Sequence, residues 1–383
     1  MHRMAKRNVG SAWARLLTRS LKTLTRQAVR AGSRSVVKAL KAPAVKRLRP
    51  AKTAKPRPIG TAARPGTAAR PGTAARPGKP ARPAKPAAPS GAGTWTTGVA
   101  ISPISPISPG GARRYALYRP PGVQRGESLP LLVMLHGCGQ HAKSFALSTR
   151  MNTVAARERF LVLYPEQDRL ANAQGCWNWF DTRNGRAEAE AASILRAIDQ
   201  VCRLQPADRA RVVVAGMSAG ASMATLLATL HPDRFRAVVM HSGVPPGMAH
   251  STLSALRAMH GRRAAGPPVA RPGGTLVPWP PLLVIHGVAD PVVAISNGRA
   301  AAQACATAAG ALAGPPRTVQ RGQRYPTTVT DFNCGRQTVA TLAEVARLGH
   351  AWSGGAAGQP YSDAKGPDAS RMVWAFAARQ MRV

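Results

Sequence analysis

The chain has little negative charge, few aromatic residues and few cysteines. Of its 383 residues, 15 are Asp or Glu against 54 Lys or Arg, and 5 are Cys. So small and odd a number of cysteines excludes a disulfide-built scaffold, and no pair has the Cys-x-x-Cys spacing of a structural zinc site. No stretch approaches the roughly 20 apolar residues that cross a membrane. The first residues also lack the unbroken apolar run of a secretory signal peptide.

Positive charge is concentrated at the N-terminus. Residues 1–93 contain 23 of the Lys and Arg residues and no Asp or Glu. Within residues 1–49, apolar and basic side chains recur at roughly helical spacing, which predicts a basic amphipathic segment. Residues 50–111 contain three Gly-Thr-Ala-Ala-Arg-Pro repeats and three Ile-Ser-Pro units. Such a segment cannot bury a core, so we expect a disordered, extended linker.

Three interpretations of this N-terminal tail stay open. A dense cationic tail binds DNA or other polyphosphates without sequence preference. A basic amphipathic segment lies on an anionic surface or on a hydrophobic polymer granule, to which it would tether the rest of the chain. The third alternative is a solvated tail without a partner. Because no signal peptide is recognisable, we expect a cytoplasmic, granule-associated protein, with secretion as the alternative.

Residues 112–383 have the pattern of a packed domain. Apolar runs of strand length alternate with helix-length segments, which predicts an α/β fold with a mostly parallel sheet and helices on both faces. The predicted strands are 114–119, 129–135, 160–164, 211–215, 237–241, 281–286 and 339–345. The predicted helices are 148–159, 187–203, 221–230, 298–309 and 369–381. Segment 245–280, rich in Gly, Pro and Arg, is either a lid or a loop.

A Gly-x-Ser-x-Gly pentapeptide centred on Ser218 separates one predicted strand from the helix that follows it. In that context the pattern predicts a nucleophile elbow, a tight turn that presents the serine hydroxyl. Glycine at 216 and 220 would relieve crowding in the turn. The start of the following helix favours developing negative charge. Without partners, the same pattern is also compatible with a helix that begins with small residues.

A serine hydroxyl needs a base and an orienting carboxylate, which in this fold follow in the order Ser, Asp, His. Asp290 comes shortly after the predicted strand 281–286, and His350 comes after the predicted strand 339–345. Alone, Asp290 is compatible with a turn residue and His350 with a half-buried surface histidine. Their order and their places beyond strand ends predict a Ser218–Asp290–His350 triad.

Glycines next to Cys138 predict the remaining part of such a site. The sequence His136-Gly137-Cys138-Gly139-Gln140 directly follows the predicted strand 129–135. Glycines there would let backbone N–H groups approach a tetrahedral oxyanion. We expect the N–H groups of Cys138 and Ala219 to be the two donors. This chemistry requires no metal and no organic cofactor.

Six motifs together resemble the polyhydroxybutyrate depolymerase family of esterases, over residues 112–383. The motifs are His136-Gly137-Cys138-Gly139-Gln140, Tyr164-Pro165-Glu166-Gln167, Cys176-Trp177-Asn178-Trp179-Phe180, Gly216-Met217-Ser218-Ala219-Gly220, His286-Gly287-x-x-Asp290 and Gly349-His350-Ala351-Trp352-Ser353-Gly354-Gly355. The resemblance implies an α/β-hydrolase fold, the triad and oxyanion donors named above, and hydrolysis of short-chain 3-hydroxyacid polyesters or their oligomers. Related esterases of similar pattern cleave feruloyl or acetyl esters of plant polysaccharides, so that substrate class remains an alternative.

Two tryptophans and the five cysteines carry further expectations. Trp177 and Trp179 flank Asn178, so in an extended loop they would share a face that holds a flat polyester, with core packing as the alternative. In an oxidising compartment Cys138 can pair with Cys176, and Cys305 with Cys334. In a reducing cytosol all would be thiols. Cys202, on a predicted helix, is expected to be buried.

Overall fold

The computed structural model describes residues 92–102, 111–262 and 278–381. The predicted amphipathic segment 1–49, most of the predicted linker and residues 263–277 lie outside the described residues. The large strands are β1 (Thr94–Ile101), β2 (Ala112–Arg119), β3 (Leu129–Leu135), β4 (Leu161–Pro165), β5 (Ala207–Met217), β6 (Ala237–His241) and β7 (Leu282–Gly287). They are followed by β8 (Leu312–Ala313), β9 (Arg317–Val319), β10 (Thr327–Cys334), β11 (Gln337–Val345), β12 (Trp352–Ser353) and β13 (Ser362–Asp363).

The described part of the chain contains seven α-helices and a short 3-10 helix, Pro232–Arg234. The α-helices are α1 (Ala142–Thr149), α2 (Met151–Glu158), α3 (Arg186–Leu204), α4 (Ala219–Leu230), α5 (Thr252–Met259), α6 (Ile295–Ala308) and α7 (Ala369–Gln380). None of the described helices is long and apolar enough to cross a membrane.

The described strands form one large sheet with a parallel centre. Its order is β1-β2-β4-β3-β5-β6-β7-β11-β10-β8, with β9 also paired to β10. The neighbours from β4 through β3, β5, β6 and β7 to β11 run parallel. Strands at both margins pair antiparallel. The carboxyl ends of the parallel strands therefore meet at one edge of the sheet, which is where open α/β folds place their sites.

Helices cover both faces of the sheet. Every residue of β3 is buried, because successive side chains enter opposite cores. Leu131 and Val133 join the core beneath α3, α4 and α6. Leu132 and Met134 join the core beneath α1, α2 and α7. The predicted fold, a mostly parallel sheet between two helical layers, is confirmed.

The predicted linker is wrong at its C-terminal end. Residues of β1 pair with β2 along their whole length, so the domain includes Thr94–Ile101 rather than starting at 112. The Trp95 ring lies 5.4 Å from that of Tyr164, between ring centroids. Most of β1 is exposed. An edge strand of this kind lacks the apolar run by which the buried strands are recognised.

Other elements also differ from prediction, among them one helix, one strand and one loop. The helix predicted over 148–159 is two helices that meet at Arg150, whose φ of 56° breaks the helical path. Strand β10 was not predicted, because most of its side chains are only half-buried. Within the segment left as lid or loop, residues 252–259 form α5, and 263–277 lie outside the described residues.

Candidate active site

The three predicted triad residues lie together at the carboxyl edge of the sheet. Ser218 follows β5, Asp290 follows β7 and His350 follows β11. His350 Nε2 lies 2.9 Å from Ser218 Oγ, and His350 Nδ1 lies 2.8 Å from Asp290 Oδ2. A nucleophile, a base and an orienting acid are therefore joined in one hydrogen-bonded chain.

Ser218 occupies a strained turn. Its φ of 56° and ψ of −123° are rare for a residue with a side chain. A β-carbon at Gly216 would lie 2.2 Å from the carbonyl oxygen of Gly220, and one at Gly220 would lie 2.1 Å from that of Leu135. Both positions therefore require glycine. The N–H of Ser218 donates to the carbonyl of His241 over 2.9 Å, which anchors the turn to β6.

Asp290 is buried and accepts hydrogen bonds at both oxygens. Oδ1 accepts the N–H groups of Val292 and Val293, each over 2.9 Å, while Oδ2 faces His350. Burial alone would raise the pKa of Asp290. The hydrogen bond and charge of His350, together with the two N–H groups, outweigh burial and lower that pKa below its usual value. An ionised Asp290 accepts the Nδ1–H of His350 and leaves the Nε2 lone pair for Ser218.

The loop after β3 lies against the nucleophile. A β-carbon at Gly137 would lie 3.5 Å from the β-carbon of Ser218. Gly137 N–H donates to Gln140 Oε1 over 3.0 Å, and Gly139 N–H donates to Gln174 O over 2.9 Å. Among the described residues, no acceptor takes the N–H of Cys138 or of Ala219, the two predicted oxyanion donors. Both groups are therefore available to a substrate oxygen.

One predicted disulfide is present and the other is not. Cys138 is bonded to Cys176, so the loop after β3 is tied to the loop after β4. Cys305 and Cys334 are free thiols. Cys305 is buried against the carbonyl of Val339, and burial raises its pKa to about 12, whereas Cys334 is exposed. Cys202 is half-buried rather than fully buried.

Trp177 does not form a substrate surface, contrary to the first alternative for it. Its side chain is fully buried, and its Nε1–H donates to the carbonyl of His136 over 2.9 Å. Trp179 is 8% exposed and packs edge-on against Phe180. Core packing, the second alternative, therefore describes both residues. The local sequence pattern is the same for a buried indole that bonds to the loop after β3 as for an indole that faces substrate.

A buried polar network behind the Cys176–Trp179 segment was not recognised in the sequence. Glu190 accepts hydrogen bonds from the N–H and the amide of Asn178, over 2.9 and 2.6 Å, and from Gln167 Nε2 over 2.7 Å. Arg113 donates to Gln167 Oε1 over 2.8 Å and to Ser193 Oγ over 2.9 Å. Burial lowers the pKa of Arg113, although Glu190 partly offsets this. Nothing in the local sequence distinguishes Glu190 from the exposed acids of a helix.

Two buried histidines lie behind the triad and were likewise not recognised as part of the site. His286 Nε2 lies 2.9 Å from the carbonyl of Val293 and 3.9 Å from Asp290 Oδ2. His241 Nε2 accepts the N–H of Ser353 over 3.1 Å. Burial lowers the pKa of both imidazoles, that of His241 to about 3, so both are neutral at pH 7. The motif His-Gly-x-x-Asp contained the signal for His286.

Comparison with known proteins identifies the family. The family model described as Esterase PHB depolymerase matches residues 113–312, more than half of the chain. The chain belongs to the esterase PHB depolymerase family. The resemblance inferred from the six motifs is therefore confirmed. Ser218 and Asp290 lie within the matched residues and His350 lies beyond them, so its place in the site depends on the geometry above.

Three known proteins illustrate what this esterase-family chain resembles. Poly(3-hydroxyalkanoate) depolymerase C of Paucimonas lemoignei is 35% identical over 175 residues, 44% of this chain and 42% of that protein. Feruloyl esterase B of Thermothelomyces thermophilus is 30% identical over 128 residues, 33% of this chain and 43% of that protein. The matched part thus spans less than half of either relative. The solved acetyl xylan esterase of Aspergillus awamori shares the fold, with a TM-score of 0.52, 20% identity and coverage of 62% of this chain and 89% of that one.

Proposed function

We propose that this chain is a serine esterase that hydrolyses short-chain 3-hydroxyalkanoate polyesters such as polyhydroxybutyrate, or their oligomers. The observation that carries the proposal is the hydrogen-bonded chain from Ser218 Oγ through His350 to Asp290. The N–H groups of Cys138 and Ala219, for which the described residues offer no acceptor, support it. The family membership points to the same chemistry.

The proposed reaction proceeds through an acyl-enzyme. His350 Nε2 accepts the proton of Ser218 as the serine oxygen attacks the ester carbonyl. The carbonyl oxygen becomes an oxyanion that accepts hydrogen bonds from Cys138 and Ala219. The hydroxyl end of the next hydroxyacid unit then leaves with the proton from His350. Water, activated by the same imidazole, hydrolyses the acyl-enzyme and regenerates Ser218, while Asp290 holds the imidazole orientation throughout.

The similarity to a poly(3-hydroxyalkanoate) depolymerase supports the polyester substrate. The second candidate is a carbohydrate esterase that removes feruloyl or acetyl groups. The similarity to feruloyl esterase B favours this alternative. Both candidates require the same triad, so only turnover of the two substrate classes separates them.

A substrate panel tests the proposed function. The purified full chain and Ser218→Ala are assayed with 3-hydroxybutyrate oligomers, amorphous polyhydroxybutyrate, methyl ferulate and acetylated xylan. We expect the wild-type chain to prefer the hydroxybutyrate substrates, and Ser218→Ala to lose about 10⁴-fold or more in kcat. Preference for ferulate or acetylxylan would favour the carbohydrate esterase. Full activity of Ser218→Ala would contradict the serine mechanism.

We also propose that the basic N-terminal tail tethers the esterase to a polymer granule or another anionic surface, in the cytoplasm. The support is compositional, 23 basic and no acidic residues in 1–93. DNA binding by the tail is the alternative of another class, and secretion is the alternative location. On an anionic surface or on DNA, the positive charges of the tail would bind without sequence preference, and this binding would weaken at high salt.

Deletion of residues 1–91 tests the tether, because it keeps β1 intact. We expect the truncated chain to retain hydrolysis of p-nitrophenyl butyrate and to lose co-sedimentation with isolated granules. If the truncated chain instead loses co-sedimentation with DNA and keeps granule binding, the result would support the nucleic-acid alternative. Unchanged binding to both would contradict any role for the tail.

A further inference from the structure

Tyr361 lies at the oxyanion loop, although it comes from the segment that follows His350. Its phenol oxygen lies 3.5 Å from the position that a β-carbon at Gly139 would occupy. Gly139 has a φ of 76° and directly follows Cys138. The phenol therefore lies beside the residue that follows the predicted oxyanion donor Cys138.

The backbone fixes Tyr361 before any substrate arrives. Its φ of 55° places a residue with a side chain in the left-handed region. Such a conformation persists only where the surrounding structure holds it. The carbonyl of Tyr361 accepts the N–H of Trp352 over 2.8 Å, and the next two residues form β13, which pairs with β12. Strand β12 begins two residues after His350. The triad base and Tyr361 are therefore held by one folded segment, the β12–β13 strand pair.

The phenol group itself is uncommitted. Among the described residues, the Tyr361 hydroxyl forms no hydrogen bond. The ring is half-buried and packs against the core that contains Trp352. Burial raises the pKa of Tyr361, so the hydroxyl keeps its proton at neutral pH and can donate it. A placed, protonated donor that has no partner in the described part of the chain is suited to a substrate oxygen.

We propose that Tyr361 is a specificity-determining residue, whose hydroxyl donates a hydrogen bond to a second oxygen of the substrate, one repeat unit from the scissile ester. This inference rests on the proposed function of the same site. Polyesters of 3-hydroxyacids carry a carbonyl in every unit on both sides of the bond that is cleaved. Simple alkanoate esters carry none beyond the reacting group. Tyr361 therefore selects 3-hydroxyacyl chains over simple esters of equal acyl length.

The test compares two substrates in the full-length chain. Tyr361→Phe keeps the ring and removes the hydroxyl. Tyr118→Phe is the control, because Tyr118 packs in the same core from β2 and its hydroxyl donates to the carbonyl of Ala92. The measured quantity is kcat/KM for the methyl ester of the 3-hydroxybutyrate trimer divided by kcat/KM for p-nitrophenyl butyrate. We expect this ratio to fall about 5- to 10-fold in Tyr361→Phe, as for the loss of one neutral hydrogen bond. In Tyr118→Phe the ratio stays at the wild-type value.

Three results would overturn the inference. An unchanged ratio in Tyr361→Phe would show that the hydroxyl does not contact the longer substrate. An equal fall of the ratio in Tyr118→Phe would show that packing of the core, and not the hydroxyl at the oxyanion loop, sets the preference. A wild-type chain that hydrolyses p-nitrophenyl butyrate but not the trimer would contradict the proposed polyester substrate as well, and this pattern is distinct from the other two.

Discussion

At the scale of single residues, the site depends on groups that water does not reach. Asp290 has no exposed side-chain surface, and its two N–H donors come from the turn that carries it. That turn is held in place by His286. A carbonyl accepts but never donates, so the Nε2 of His286 must carry the proton that it donates to Val293 O. His286 therefore fixes the backbone whose N–H groups hold the Asp290 carboxylate. The carboxylate in turn orients the imidazole of His350.

His286→Leu should lower kcat about 10- to 100-fold with little change in KM, because a displaced Asp290 misorients the base and not the substrate. His286→Gln, which offers an amide donor in place of Nε2–H, should recover a measurable part of that loss. Steady-state kinetics with p-nitrophenyl butyrate over pH 6–9 would check both variants. Wild-type kcat in His286→Leu, with the folded state verified by circular dichroism, would show that His286 has no positioning role.

The catalytic residues were predictable from the sequence because each follows the end of a buried strand. Ser218, Asp290 and His350 are polar residues just beyond apolar runs, and the order of those runs along the chain is visible. Glu190 and Arg113 were not predictable, since their burial arises from loops that pack over them. Trp177 shows the same limit: its sequence neighbours are compatible with both a buried and a substrate-facing indole.

At the scale of elements, the centre of the sheet was predictable and its margins were not. Strands β3, β4, β6 and β7 are buried throughout, so their sequences are continuous apolar runs. The margins hold β1, β9 and β10, whose side chains are largely exposed or half-buried. Such strands are defined by their partners, for example the pairing of β1 with β2, and not by a pattern of their own.

The Cys138–Cys176 disulfide joins the loop that carries an oxyanion donor to the loop after β4. Without it, the Cys138 N–H has more freedom and is less well aimed at the oxyanion. We expect kcat of the double variant Cys138→Ser, Cys176→Ser to fall about 10- to 100-fold. This fall should not exceed the fall in kcat that follows removal of one oxyanion donor. Cys202→Ser, a change at a half-buried free thiol, is the control and should retain wild-type kcat.

Treatment of the wild-type chain with a thiol reductant should lower kcat in the same way, and reoxidation should restore it. Undiminished activity of the double variant, or an equal loss in Cys202→Ser, would contradict a role for the disulfide in holding the oxyanion loop.

At the scale of the whole molecule, buried histidines make stability depend on pH. His136 donates Nδ1–H to Gly137 O and accepts the N–H of Gln167 at Nε2, so its neutral form satisfies both nitrogens. Burial lowers its pKa to about 4. The unfolded chain binds a proton at its ordinary pKa near 6.5, before the folded chain does. Stability is therefore lost as the pH falls from about 7 to 4, and this group causes no further loss below that range.

Between pH 7.5 and 5, His136 alone should cost about 2 kcal/mol of the free energy of unfolding, and the buried His241 should add to it. Urea unfolding at the two pH values would measure the loss. The difference between the two pH values should be smaller in His136→Gln, and unchanged in His260→Gln, where an exposed histidine is removed. Equal unfolding free energies of the wild-type chain at pH 7.5 and 5 would contradict this account.

Covalent labelling measures whether His350 and Asp290 make Ser218 the nucleophile. The full-length chain is treated with a fluorophosphonate, with and without a His350→Gln substitution, and the modified peptide is identified by mass spectrometry. We expect one adduct on Ser218 of the wild-type chain, formed in parallel with loss of esterase activity, and far slower labelling of His350→Gln. An active chain whose activity is lost through an adduct elsewhere, with Ser218 unmodified, would show that Ser218 is not the nucleophile.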